Sequence, residues 1–212
     1  MNIRTLVLCD DLWHPGAIAR RGLKALGDCG FDFEFLKNNA DWPVLDWRKF
    51  QLVVLAKSNV VSAKKKRAWL TKDSEKVFCD HIRRGTGLVV IHSGTADYAE
   101  LPVMRGVIGG AFLRHPPQCP VTIEPKPRRP LTKSVTPFMV QDEHYFMKLD
   151  DARAKIFLQS RSEHGVQPAG WTRIEGKGRV CVLTPGHNVE VWLHPMFQTL
   201  LLNALRWAAK ID

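Results

Sequence analysis

The ten residues Gly85-Thr-Gly-Leu-Val-Val-Ile-His92-Ser93-Gly94 constrain the fold more than any other stretch of the chain. Leu88 to Ile91 is a short, unbroken apolar run rich in β-branched residues. A strand exposed on one face alternates apolar with polar residues, whereas one covered on both faces reads as a continuous run. Ahead of it, Arg83 and Arg84 place cations where a helix C-terminus favours them, and Gly85 can take the left-handed cap. Behind it, His92-Ser93-Gly94 falls at the strand's carboxyl end, the edge where open α/β sheets place their ligands.

The same signature recurs at Ile3 to Cys9 and at Leu52 to Leu55. Between these runs Pro15 suits a helix's first turn. That helix is expected to reach about Gly27 or Gly30 and to turn Ile18, Leu23 and Leu26 toward the sheet. Phe31, Phe33 and Phe35 alternate with Asp32 and Glu34, the pattern of a half-buried edge strand. Thr71 can cap a second helix, with Asp73 and Glu75 in its first turn and Val77, Phe78, His81 and Ile82 facing inward. Strand, helix, strand, strand, helix, strand is the order of a doubly wound, mostly parallel α/β sheet.

The second half differs. Gly109 to Pro117 reads as a loop, and Val121 and Ile123 as a short strand. Residues 125–137 hold four prolines and four cations, an exposed connection. Strands are expected at Ile156 to Leu158, Gly170 to Ile174 and Arg179 to Thr184, the last two joined by a turn at Gly176-Lys177. Some of these late strands should be antiparallel. His194-Pro195 opens a final helix with Phe197, Leu200, Leu201, Ala204 and Trp207 inward.

A chain of 212 residues reads as one domain, residues 1–212. Its net charge of +10 suggests an anionic partner. The basic clusters Lys64 to Arg67 and Arg128-Arg129 lack interleaved aromatics, however, so they read as solvated loops and not as a specific nucleic-acid site. No apolar run approaches the roughly 18 to 20 residues of a membrane span. Five cysteines without a Cys-x-x-Cys pair read as reduced thiols, which places the chain in the cytoplasm. Trp42, Trp47 and Trp69 are either buried or the surface of a homodimer.

The Gly85–Gly94 stretch resembles the strand and turn of the trehalose-utilisation (ThuA-like) family, whose sheet is that of the class I glutamine amidotransferases, a flavodoxin-like arrangement. The resemblance extends over nearly the whole chain. It is carried by Gly109-Gly110-x-Phe112-x-x-His115, Asp142-Glu143-His-Tyr145, Pro168-Ala-Gly-Trp171, Gly176-Lys-Gly178-Arg179, and Gly186-His187 with Trp192 and Pro195-x-Phe197. Two departures stand out: Gly94 where the family usually has alanine, and Thr184-Pro185 before Gly186-His187. The resemblance puts His92 at the position of the amidotransferase cysteine nucleophile, which implies no glutaminase activity, and His187 at that of the triad histidine.

Near neutral pH an imidazole can give or take a proton, so His92 and His187 are candidate acid-base residues. Glu190, three residues beyond His187, is a candidate partner for it. Asp142 and Glu143 are adjacent on extended backbone, so one should face the pocket and the other brace a loop; the pattern does not say which. Ser93, His14, His115, Tyr145 and Trp171 are candidate substrate-binding residues. Trp171 reads first as a core aromatic and second as a sugar-stacking platform. His92, His115 and His187 could hold a divalent metal. His14 could join either arrangement, while His81, His144, His164 and His194 have structural readings. The family implies a small sugar substrate, trehalose or a related one, and an enzyme of carbohydrate metabolism. The alternative is a non-catalytic sugar- or effector-binding protein on a disarmed amidotransferase scaffold.

Overall fold

The computed structural model describes residues 2–36, 42–43, 45–127 and 130–211. Arg128-Arg129 therefore lies outside the described residues.

Among the described residues, nine strands form one mixed sheet in the order β2-β1-β3-β4-β11-β10-β9-β6-β7. The apolar runs become β1 (Ile3–Cys9), β3 (Leu52–Ala56) and β4 (Gly87–Ile91), with β2 (Phe31–Leu36) at one edge. These pair parallel with one another and with β11 (Gly178–Leu183). Beyond β11 the pairing turns antiparallel through β10 (Gly165–Glu175), β9 (Lys155–Ser162), β6 (Cys119–Pro125) and β7 (Phe138–Asp142). The switch has a local cause: β10 and β11 are joined by the two-residue turn Gly176-Lys177, with Gly176 at φ 59, and a tight hairpin forces antiparallel pairing.

Helices cover both faces. On one face α1 (Gly16–Lys24), α4 (Val189–Leu193) and α5 (Pro195–Ala209) pack their apolar sides against Val7, Val54, Val89 and Cys181. On the other, α2 (Glu75–Arg84) and α3 (Pro102–Ile108) cover Leu8, Val53, Leu88, Val90 and Val182. Each fully enclosed Val or Leu contributes roughly 1.5–3 kcal/mol. Double coverage makes these strands continuous apolar runs. Among the described residues no helix is long and apolar enough to cross a membrane.

Several expectations need correction. The α1 helix stops at Lys24, before Gly27. The α2 helix begins at Glu75 with Ser74 at its N-cap, so Thr71 is not the cap. Val77 is half exposed, and Cys79 takes the inward place instead. The loop expected from Gly109 is β5 (Gly110–Arg114), paired antiparallel with β8 (Phe146–Leu149) in a second small sheet. The proline-rich connection is not wholly exposed: Leu131 and Thr132 are buried, and Asn203 of α5 donates to the Leu131 and Lys133 carbonyls. Trp42, Trp47 and Trp69 are buried around Phe78 in edge-to-face contacts, so they form no dimer surface. Lys64 to Arg67 is an exposed loop. None of the five cysteines is in a disulfide.

Candidate active site

The parallel strands end along one edge, and the turns leaving that edge carry the candidate residues. After β1, Asp10-Asp11-Leu12-Trp13-His14 folds back on itself. The Asp11 Oδ1 accepts the amides of Trp13 and His14, both at 2.9 Å, and the His14 Nδ1 at 2.8 Å. Its Oδ2 accepts the Ser58 amide, 2.8 Å away on the turn after β3. Burial would raise the Asp11 carboxyl, but His14 and the amides outweigh it and hold it well below the usual carboxylate range. An ionised carboxylate can only accept, so Nδ1 carries the His14 proton and Nε2 presents its lone pair.

After β4 the chain turns sharply. His92 has φ 50, a left-handed conformation uncommon for a side chain of its size. The following glycine is required by close approach: a Cβ on Gly94 would run into the Leu55 carbonyl oxygen of β3. An alanine in its place, as the resemblance leads one to expect, would not fit without movement of that strand. The His92 Nδ1 donates to the Thr184 carbonyl at 2.8 Å, which aims its Nε2 at Glu143. Ser93 is buried behind it, beside Ile18 and Gly186.

After β11, Gly186 and His187 donate their amides to Asp142 at 2.8 and 3.0 Å. Asp142, at the end of β7, is buried and also accepts the Glu143 amide at 2.9 Å. Burial pushes its carboxyl up, against His92 and the three amides. Asp142 thus braces the loops, and Glu143 projects into the site. This division follows from extended backbone, on which neighbours point apart. Asp142 does not face the cavity, so it is no candidate for direct acid-base work.

The Glu143 carboxylate lies 3.3 Å from His92 Nε2, 3.2 Å from His187 Nδ1 and 3.6 Å from His115 Nε2. Burial opposes its charge, but His187 and His92 hold it far below the ordinary carboxylate range. Glu143 in turn raises His187, against burial. Burial lowers His14, more than Asp11 restores, and the neighbouring His92 and His187 add to the fall. The partner of His187 is therefore Glu143 and not Glu190, which is exposed on α4. Proximity in the chain was a misleading guide.

His14, His92, Glu143 and His187 each offer one ligand atom within 4.8 Å of the others. Among the described residues, the only buried side-chain N or O atoms without a well-formed hydrogen bond are His14 Nε2, His92 Nε2 and His187 Nδ1, the last two facing the Glu143 carboxylate. These are atoms of the cluster itself. His115 stands outside it, its Nδ1 2.8 Å from the Pro116 carbonyl and its ring partly exposed. Tyr145 stacks on His92 with ring centres 4.1 Å apart. A cavity of about 460 Å³ opens beside the cluster, with His115, Glu143, Tyr145 and Phe112 on its walls.

Trp171 is elsewhere. It is fully buried in the core under α3, its indole N–H donating to the Ile108 carbonyl at 2.8 Å, so it offers no sugar platform. The remaining histidines have structural partners: His144 bonds Ser160 and Ser162, His81 stacks on Trp47, His194 accepts the Met196 amide, and His164 faces Glu163. Three residues of the site were not singled out from the sequence: Asp11, Trp13 and Asp97. An Asp three positions before a His, as in Asp11 and His14, is the available signal for the first.

The fold is shared with solved structures. A ThuA-like protein from Parabacteroides merdae superposes with a TM-score of 0.81 at 19% identity, over 99% of this chain and 90% of its own. A ThuA-like protein from Bacteroides uniformis gives 0.74 at 19% identity, over 97% and 91%. The cold-adapted β-galactosidase from Rahnella sp. R3 gives 0.71 at 13% identity, over the whole of this chain but 32% of that enzyme. No curated protein sequence is significantly similar. The trehalose-utilisation family matches residues 19–208, and the chain belongs to that family, ThuA.

Proposed function

We propose that this chain is an enzyme of sugar metabolism whose reactive centre is a divalent-metal site held by His14, His92, Glu143 and His187. One observation carries the reading: three buried imidazole nitrogens without well-formed hydrogen bonds converge with a carboxylate. Polar atoms left without well-formed hydrogen bonds in a place shielded from water are costly, and a cation bound among them would satisfy them. Nitrogen and carboxylate donors suit zinc or another first-row divalent ion. His14 is held from behind by Asp11 and His92 by the Thr184 carbonyl. Such outer partners fix the tautomer and aim of metal-binding imidazoles.

A bound ion would polarise a substrate oxygen or acidify a bound water. The chain's own residues supply the rest. His115, 3.6 Å from Glu143 and open to the cavity, is placed to carry a proton between them. Tyr145 backs the His92 ring and excludes water from that side. An imidazole at position 92 cannot form the acyl-enzyme that a cysteine forms, so glutamine hydrolysis is not expected. The sugar substrate rests on the family's name, trehalose utilisation. We further read the strand order β2-β1-β3-β4-β11 as doubly wound, the flavodoxin-like sheet of the class I amidotransferases, and the chain as a single cytoplasmic domain.

The test is elemental analysis of the purified protein before and after dialysis against a chelator, with turnover screened on disaccharides and keto-sugars. Stoichiometric metal is expected, lost with His92→Ala, and activity that follows the metal. Protein that retains no ion at any divalent-metal concentration overturns the metal centre. Retained metal without turnover favours a sugar-binding protein.

A further inference from the structure

The cavity beside the imidazole cluster falls within the range of small-molecule sites, roughly 300–1,000 Å³. We infer that it is a subsite for a neutral, non-phosphorylated pyranose, with the Trp13 indole as its stacking face and the Asp97 carboxylate as acceptor for its hydroxyls. The inference deepens the reading of the cluster as a reactive centre and rests on it for the sugar class.

Trp13 is 72% exposed at the cavity's rim. Tryptophan is highly buried on average, so a bare indole at the mouth of a pocket is an apolar surface without a partner. Its place is not accidental to the loop. The Asp11 oxygen that binds His14 also binds the Trp13 amide at 2.9 Å. One carboxylate thereby sets the imidazole in the cluster and the backbone of the indole beside it.

Asp97 lines the same cavity and has φ 65. Asp is one of the few residues that tolerate the left-handed region. Its side chain is exposed and makes no hydrogen bond or ion pair with any described residue. Its oxygens are free to accept from a ligand.

Charge selects the ligand further. The chain carries +10 overall, yet among the described residues lining this cavity there is no lysine or arginine, and two carboxylates, Asp97 and Glu143. The lining also holds His14, His115 and His187, so the discrimination falls to Asp97, the one carboxylate there outside the metal centre: a phosphate beside it would meet that charge and no guanidinium or ammonium donor. A pyranose has the opposite needs: an apolar C–H face for an aromatic ring, and hydroxyls that donate to acceptors. Phe112 and Tyr145 extend the apolar wall.

Isothermal titration of the full chain with glucose, trehalose and trehalose 6-phosphate, with indole fluorescence recorded in parallel, tests the assignment. Trehalose or glucose should bind and perturb the fluorescence. Trp13→Ala should weaken that binding about tenfold, with partial recovery in Trp13→Phe. Asp97→Asn, which keeps both shape and backbone preference, should weaken it several-fold. The phosphate ester should bind more weakly than trehalose. Equal or tighter binding of the ester, unchanged affinity in Trp13→Ala, or no binding of either neutral sugar overturns the inference. Metal content measured on the same samples separates the two readings. Sugar binding that persists without metal keeps the subsite and removes the metal centre, and metal retained without sugar binding does the converse.

Discussion

Asp142 and His187 are joined by a 3.0 Å hydrogen bond from the His187 amide to the Asp142 carboxylate, so the end of β7 fixes the exit of β11. The same carboxylate holds Gly186 and Glu143. Asp142→Asn preserves the shape but turns one acceptor into a donor that faces amide donors. A loss of about 1–3 kcal/mol is expected in urea unfolding, the cost of a buried polar group left unpaired. An unchanged midpoint would show that these loops hold without the bond.

Lys57 makes a pH-dependent contribution. It is wholly enclosed, its ammonium donates to the Val61 carbonyl at 2.9 Å, and burial lowers it to about 8, against the nearby Asp11, Cys9 and Asp10. In the unfolded chain a lysine titrates at about 10.4. Between these values the unfolded chain binds more protons, so this group's contribution to stability rises with pH. The stability of the wild type relative to Lys57→Met should therefore increase across that window, as read by urea midpoints at several pH values. A constant difference would mean that Lys57 titrates alike in both states.

Gly94→Ala tests the strand-to-turn geometry at His92. The added methyl meets the Leu55 carbonyl, a backbone atom that cannot rotate away. Overpacking of this kind costs typically about 1–3 kcal/mol. The thermal midpoint should fall, and His92 should be displaced with it. A variant as stable as the wild type would show that β3 and β4 can separate at this point.

Trp69 anchors the aromatic group under the sheet, with its indole N–H on the Tyr98 hydroxyl at 3.0 Å. Trp69→Ala should cost about 3–5 kcal/mol and leave the oligomeric state unchanged in sedimentation. A change of assembly with little loss of stability would return this tryptophan to an interface.

What could be read from the residues follows from how each element is buried. The strands β1, β3 and β4 were legible because helices cover both their faces, which makes apolar runs. The small β5-β8 sheet was not, because glycines and prolines around it imitate a loop and its partner strand is distant in the chain. The five residues of α4 are too few to show a helical period. At the site, His92 and His187 stood out at strand ends, and the paired acids were correctly expected to diverge. The choice of Glu143 over Asp142 needed the third dimension. So did Asp11, since an acid that folds a turn looks like any acid in a loop. Trp171 is the core aromatic that its pattern first suggests, and the sugar platform fails because alternation on β10 describes a buried ring as well as an exposed one.

The four clustered side chains issue from turns after β1, β4, β7 and β11, so no contiguous fragment short of most of the chain contains them all. Capture of an ion there would report completed folding, not local order. It would also tie the earliest loop to the last. Chelation should then hasten unfolding of the entire sheet, because opening any one of these exits would release the others.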